Sequence, residues 1–353
     1  MAYNKAILKG KVITVQGLLD PDTLGIVMPH EHCLIDGSAV YPTPPKEASL
    51  RDFFYQPVSI DTIARIRYGG INLDNAVMLD EDTACKELLR YKGQGGKTLA
   101  DATIKGLGQD PDALLRISRR TDINIIMGCG YYVWSTIKDI VSKETDIDQY
   151  AQEMIDSVFK GTPAGIHSGM IGAIGCSWPL HPVEKKILFA AGVAQKTTGA
   201  GLHVHPGRSE TAPFELIDIL KESGADLGKV VIDHVDRCLQ EPENRYRILD
   251  EGCFVEYDFW GMDCYYPSAY EPFDIPSDMQ RIAIVRDILD KGYGNQILIS
   301  VDMDQKSRLA KYGGHGYDHI LTNVLPAMRL RDFSQDELDM ILQRNPQRFL
   351  TLS

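Results

Sequence analysis

Two histidines flank one glutamate at His30-Glu31-His32, directly after the apolar run Leu24-Gly25-Ile26-Val27-Met28. Side chains on extended backbone alternate with a period of two, so His30 and His32 point the same way and can grip one ion from a strand end. A lone His-x-His is weak evidence, because histidines often just satisfy core hydrogen bonds or sit on the surface. Three further residues share the same placement. His205 closes the run Gly201-Leu202-His203-Val204, His234 closes Val230-Val231-Ile232-Asp233, and Asp302 closes Ile297-Leu298-Ile299-Ser300-Val301. Four imidazoles and a carboxylate are donors that suit zinc and other divalent transition metals. His203 forms a second His-x-His with His205, but the residue at the strand end is the better ligand, and His203 reads as structural. His167 and His181 read as solvated loop residues; His315 and His319 read as shaping a Gly-rich loop.

Ligands at the ends of different strands meet only if the elements between them bring them together. From about residue 97 onward, short apolar runs alternate with longer amphipathic stretches. Strands are expected at 98–103, 124–128, 170–174, 201–205, 230–234, 253–258 and 296–300, with 24–28 completing eight. Helices are expected at 111–120, 146–160, 182–198, 212–223, 244–251 and 279–291. Gly199 marks one helix end, and Ser334-Gln335-Asp336-Glu337 forms a capping box that starts the last helix. Such alternation implies parallel strands and right-handed crossovers. An open doubly wound sheet fits the periodicity nearly as well as a closed barrel. The histidines decide between them, because they share one cavity mouth only when the sheet closes. The expected fold is α/β, a (β/α)8 TIM barrel formed by one domain over residues 1–353. A small β hairpin within Ile7-Leu8-Lys9-Gly10-Lys11-Val12-Ile13 would close its bottom. The irregular stretch 36–75 would then lie on the C-terminal face, where barrel loops build sites.

Composition narrows the function classes. The chain has 353 residues, 44% hydrophobic and 24% charged, with a formal net charge of −12. A nucleic-acid binder would carry a basic footprint, so no nucleic-acid partner is expected. No apolar stretch approaches the roughly 20 residues that span a bilayer, and no targeting segment is visible, so no membrane partner is expected either. Seven cysteines without a Cys-x-x-Cys pair argue against a disulfide framework or a zinc finger, and for a reduced, cytoplasmic setting. The expected partner is a small-molecule substrate; a homodimer is compatible with the sequence.

Several segments together resemble the phosphotriesterase family of the amidohydrolase superfamily, and most of all its phosphotriesterase-related branch. They are Met28-Pro29-His30-Glu31-His32, Gly128-Cys129-Gly130-Tyr131-Tyr132, Cys176-Ser177-Trp178-Pro179, His205-Pro206-Gly207-Arg208, Asp233-His234-Val235-Asp236-Arg237 and Tyr312-Gly313-Gly314-His315-Gly316-Tyr317. They occur in order, from the N-terminal hairpin to Asn345-Pro346. The resemblance implies a binuclear site, one ion on His30, His32 and Asp302 and the other on His205 and His234. It also implies a bridging carboxylate from the fourth strand, either a carbamylated lysine or a glutamate. This sequence departs there: Ala173 stands where the related branch carries Glu, and Lys185 and Lys186 belong to the next helix. Three explanations compete. The second ion binds weakly through two histidines and a water; or Cys176, Glu256 or Asp258 stands in; or the activity is lost, or Ala173 is a substitution made for study. One or two divalent ions, zinc first, are therefore expected.

A bound divalent ion lowers the pKa of water from 15.7 toward about 7 and polarises a carbonyl or phosphoryl oxygen. Asp302, beside that water, would take its proton and pass it to the leaving group. Tyr131 or Tyr132 would hydrogen-bond the substrate carbonyl. Arg208 and Arg237 would clamp an anionic group, or pair with Asp236 instead; Lys306 and Arg308 add positive charge on the same face. The expected function is hydrolysis of a small ester, lactone, amide or phosphotriester. The alternatives are a non-catalytic binding protein, which Ala173 favours, and a mononuclear deaminase-like enzyme that releases ammonia.

Overall fold

The structure, a computed structural model, describes residues 3–41, 43–262 and 275–353. Among the described residues twelve strands run in chain order: β1 Val12–Thr14, β2 Gly17–Leu19, β3 Ile26–Glu31, β4 Ile35–Asp36, β5 Val77–Met78, β6 Gly96–Asp101, β7 Asn124–Met127, β8 Met170–Gly175, β9 Gly201–His205, β10 Val230–Ile232, β11 Phe254–Tyr257 and β12 Ile297–Ile299. Parallel pairing makes two arcs, β3-β6-β7 and β8-β9-β10-β11-β12. Backbone hydrogen bonds join them on one side, where Gly169 N donates to Met127 O at 2.9 Å and Gly172 N to Cys129 O at 2.7 Å. On the other side His30 N donates to Ser300 Oγ at 3.2 Å. The sheet thus closes into an eight-stranded (β/α)8 barrel in sequence order.

Period two decides which residues fill it. Val27, Ala100, Ile126, Val231, Phe254 and Leu298 belong to one buried cluster, the barrel interior. Their neighbours Leu99, Ile125, Ile232, Val255, Ile297 and Ile299 belong to another, between the strands and the surrounding helices. Each aliphatic side chain so buried is worth about 1.5–3 kcal/mol, and a one-residue slip would exchange the two faces. Val12, Leu24, Phe349 and Leu350 plug the interior from the N-terminal end of the strands.

Two residues further along the same strands the interior turns polar. His203, Asp233, Glu256 and Ser300 follow Leu298, Phe254, Val231 and their equals, and all are fully buried. Two residues further again come His205, Asp258 and Asp302. The site is therefore the top rung of a ladder whose lower rungs are apolar packing.

The helices Pro182–Thr198 and Ala212–Ser223 have the expected bounds, Gly199 takes a left-handed φ of 76°, and Ser334 and Glu337 form their capping box. The hairpin differs from expectation. Lys5–Leu8 is a single helical turn with Asn4 as its cap, and the hairpin is β1 paired with β2. The stretch 36–75 holds two short helices, Ala48–Tyr55 and Ile63–Arg67. A helix that the sequence reading left out, Glu81–Gly93, follows β5. Cys33, Cys85, Cys129, Cys176, Cys238 and Cys253 are free; Cys264 lies outside the described residues. No described helix is long and apolar enough to cross a membrane.

Candidate functional site

At the C-terminal end of the barrel strands lies a cavity of about 320 Å³, lined by His30, His32, His205, His234 and Asp302 with Tyr132, Ala173, Arg208 and Arg237. The five candidate ligands converge. His32 Nε2 lies 3.2 Å and His30 Nε2 3.7 Å from Asp302 Oδ1. His234 Nε2 lies 2.7 Å from His205 Nδ1, and the His30 and His234 ring centres are 5.0 Å apart. Two of the five, His234 and Asp302, sit at left-handed φ values of 54° and 47°. That conformation is costly for residues with a Cβ, and it clusters at sites where geometry outranks backbone comfort.

Each side chain is held from behind. His32 Nδ1 is 2.8 Å from Thr103 Oγ1, whose hydroxyl donates to Leu34 O at 2.9 Å. The hydroxyl has one proton, so towards His32 it accepts. His32 therefore carries its proton on Nδ1 and turns a bare Nε2 to Asp302. Asp258 does the same for His234, with Oδ1 2.9 Å from Nδ1 and Oδ2 accepting the His234 backbone N–H at 3.0 Å. Arg308 donates from Nη1 to Asp302 O at 2.6 Å and from Nη2 to Val301 O. Glu31 accepts from Val301 N at 2.8 Å and Met303 N at 2.9 Å. The loop that presents Asp302 is thus pinned on both sides.

Electrostatics favours the protonation states an ion requires at His205, His234 and Asp302, and opposes them at His30. Burial pushes His205 well below the usual histidine range, and His234 and Arg237 add to it. Burial also lowers His234, against the attraction of Asp302. Burial alone would raise the Asp302 carboxyl, but the imidazoles, His32 first, outweigh it and hold it well below the carboxylate range. Burial opposes charge on His30 too, yet Asp233, Glu256 and Asp302 prevail and raise it. Behind His30 the Nδ1 atom, Asp233 Oδ2 and both Glu256 oxygens have no hydrogen-bond partner; Nδ1 lies 3.5 and 3.7 Å from those two carboxylates.

The donor set can be tested against the divalent ion it suggests. His30, His32 and Asp302 form one buried group able to hold a cation, with two imidazoles and one carboxylate, which fits zinc chemistry. Among the described residues no carboxylate joins both His205 and His234 in such a group, although Asp258 groups with His234 and His30. Ala173 presents a buried methyl group to the cavity. Of the stand-ins weighed from sequence, Asp258 is engaged by His234, Glu256 faces the Nδ1 side of His30, and burial together with Glu184 and Glu215 raises the Cys176 thiol far from a thiolate.

The remaining expected residues divide. The Tyr132 hydroxyl lies 3.3 Å from His205 Nε2 in the cavity. Tyr131 is a correction: its hydroxyl donates to Glu153, its ring packs on Tyr150, and it does not line the cavity. Adjacent residues point to opposite sides, so only one of the two can face in. Arg208 lines the cavity. Arg237 donates from Nη2 to His205 Nε2 at 2.9 Å and to Pro206 O at 3.0 Å. Asp236 pairs with Arg281 instead, and Lys306 pairs with Asp74 at 2.6 Å. His203 donates from Nδ1 to Asp233 Oδ1 at 2.8 Å, below the ligand level. His167 is another correction: it is buried, with Nδ1 3.0 Å from Val158 O and its ring against Tyr3. His181 caps the helix Pro182–Thr198 and stacks on Trp134.

The chain is similar to known proteins over nearly its whole length. The model of the phosphotriesterase family matches residues 10–350. A phosphotriesterase-related protein of Nematostella vectensis is 38% identical, covering 97% of this chain and 99% of its own. The N-acetyltaurine hydrolase of Dictyostelium discoideum is 37% identical over 97% and 98%. Among solved structures, a resiniferatoxin-binding protein from Rhodobacter sphaeroides superposes with a TM-score of 0.91 at 31% identity, covering 97% of this chain and 95% of that one.

Proposed function

The chain belongs to the phosphotriesterase family, and from that premise we propose that it is a metal-dependent hydrolase of a small amide or ester that carries an anionic group. The observation that carries the reading is the meeting of His30 Nε2, His32 Nε2 and Asp302 Oδ1 at the mouth of the barrel. These three residues hold the ion, and nitrogen-rich donors with one carboxylate favour zinc. When bound there, a divalent cation would supply Lewis acidity, lowering the pKa of a water toward neutral and polarising the scissile carbonyl. Asp302 takes the proton released as water attacks and delivers it to the leaving group. Tyr132, at the rim beside His205, donates to the substrate carbonyl. Arg208 and Arg237 face the anionic end of the substrate. An N-acyl amide fits this division, with its carbonyl at the ion and its acid at the guanidinium groups. The similarity to an N-acetyltaurine hydrolase supports that substrate class. Six free cysteines support a reducing, cytoplasmic setting.

A panel tests the proposal: N-acetyltaurine, N-acetyl amino acids, lactones, an aryl phosphotriester and a neutral N-alkylacetamide, each followed by NMR with the zinc-loaded enzyme. The expected result is fastest turnover on an anionic N-acetyl compound. Release of ammonia would point to a deaminase. Binding without turnover of any member would overturn the hydrolase reading in favour of a binding protein.

A further inference from the structure

We infer that this chain holds one divalent ion, on His30, His32 and Asp302, and that Arg237, by donating to His205, ties His205 and His234 into a hydrogen bond in place of a second ion. The inference rests on the metal-dependent reading above and goes on to fix its stoichiometry.

Distance is the first argument. Two nitrogens on one tetrahedral zinc, each at about 2.0–2.1 Å, lie about 3.3 Å apart. His205 Nδ1 and His234 Nε2 are 2.7 Å apart, a hydrogen-bond length rather than a ligand edge. His32 Nε2 and Asp302 Oδ1, at 3.2 Å, are spaced as ligands of a common ion.

The proton count is the second. A guanidinium can only donate. Arg237 Nη2, at 2.9 Å, therefore makes His205 Nε2 an acceptor. The one proton of a neutral His205 ring then sits on Nδ1, the atom that faces His234. His234 carries its own proton on Nδ1 towards Asp258 and accepts at Nε2. Donation runs in a single sense, Arg237 to His205 to His234 to Asp258, and spends the two lone pairs a second ion would need. His32, with its proton held on Nδ1 by Thr103, keeps its Nε2 lone pair for an ion. Arg237 is also tied to Pro206 O and buried, so its guanidinium does not leave without losing a second hydrogen bond.

Charge is the third. The carboxylates among the residues lining the cavity are Asp302 and Asp304, and Asp304 pairs with Arg308 at 3.1 Å. Asp233, Glu256 and Asp258 stand behind the histidines, but within the cavity lining two dications beside a buried guanidinium would face one unpaired carboxylate, with a methyl at Ala173 where a second would have to stand. Charges buried without compensation are strongly disfavoured. One ion in place of two leaves less positive charge to offset in a cavity that Arg208 and Arg237 already line.

The test counts ions. Chelator-stripped enzyme is reloaded with excess zinc, freed of unbound metal and measured by inductively coupled plasma mass spectrometry, for the natural chain, His205→Gln and His32→Gln. Circular dichroism accompanies each sample, so that loss of metal is separated from loss of fold. The expected result is about one zinc per chain in the natural protein and in His205→Gln, and a fall below about a fifth of that in His32→Gln. Two zinc ions in the natural chain, or a folded His205→Gln that loses its zinc, overturns the inference while leaving metal dependence standing. A natural chain that retains no zinc overturns metal dependence itself, and the inference with it.

Discussion

The Glu31 carboxylate meets the Ser300 hydroxyl at 2.6 Å across the seam where the first barrel strand closes on the last. The same carboxylate accepts the N–H groups of Val301 and Met303. One residue between two candidate ligands thus fixes the loop that carries a third, Asp302. Glu31→Ala leaves two buried amides unpaired and opens a void, with an expected cost of about 2–4 kcal/mol. Urea unfolding measures it; a change below about 1 kcal/mol would show that the loop is held by Arg308 alone.

Thr103 sets the His32 tautomer without touching the cavity. Thr103→Val removes the acceptor for Nδ1 and keeps the volume. Metal affinity is expected to fall about 10–100-fold, with a stability cost of about 1–3 kcal/mol from the unpaired His32 N–H and Leu34 carbonyl. Competition with a chromogenic chelator reads the affinity, and an unchanged value would break the link between Thr103 and the ion.

Asp302 is asked to move a proton as well as to ligate. Asp302→Asn keeps the shape and removes the base, so kcat is expected to fall by about 10²–10⁴ with the circular dichroism spectrum preserved. A variant that keeps most of its rate would put the base elsewhere.

Away from the site, Arg286 holds Glu337 at 2.8 Å and lowers its carboxyl from 4.5 to about 2. A depressed acid stabilises the fold above its unfolded pKa and loses that contribution as pH falls towards the folded value. Both side chains are partly exposed, which reduces the effect to about 1 kcal/mol. Arg286→Gln should be less stable than the natural chain at pH 7, with the gap narrowing between about pH 4.5 and 2. Thermal melts across that range check it; a gap independent of pH would mean that packing on Phe333, not charge, is what Arg286 provides.

The ladder of alternating residues was legible from the chain alone. Val231 to Asp233 and Leu298 to Ser300 to Asp302 need only a period of two, whereas His30 and His32 reach the cavity through the register shift after Met28 and His234 through its left-handed φ, which the period does not show. What escaped depended on contacts made at a distance. Tyr131 and Tyr132 look alike in sequence, and only Glu153, on a later helix, decides which ring turns away. His167 lies in a loop yet is buried, because Tyr3 from the chain's start covers it. The helix Glu81–Gly93 buries Thr83 and Glu87 beside Leu88 and Tyr91, which blurs its apolar stripe; Glu87 is buried to accept the amides of Ala310 and Lys311. Thr103 and Asp258 became visible as positioning residues only once the hydrogen bonds to His32 and His234 were seen.

The central claim is that converged imidazoles and Asp302 hold an ion on which hydrolysis depends. Titrating zinc back into chelator-stripped enzyme while following hydrolysis of the preferred N-acetyl substrate tests it most directly. The account predicts a stripped enzyme without activity, and recovery that is complete once the triad of His30, His32 and Asp302 is filled. Full activity in stripped enzyme, with its metal content verified as negligible, would contradict it.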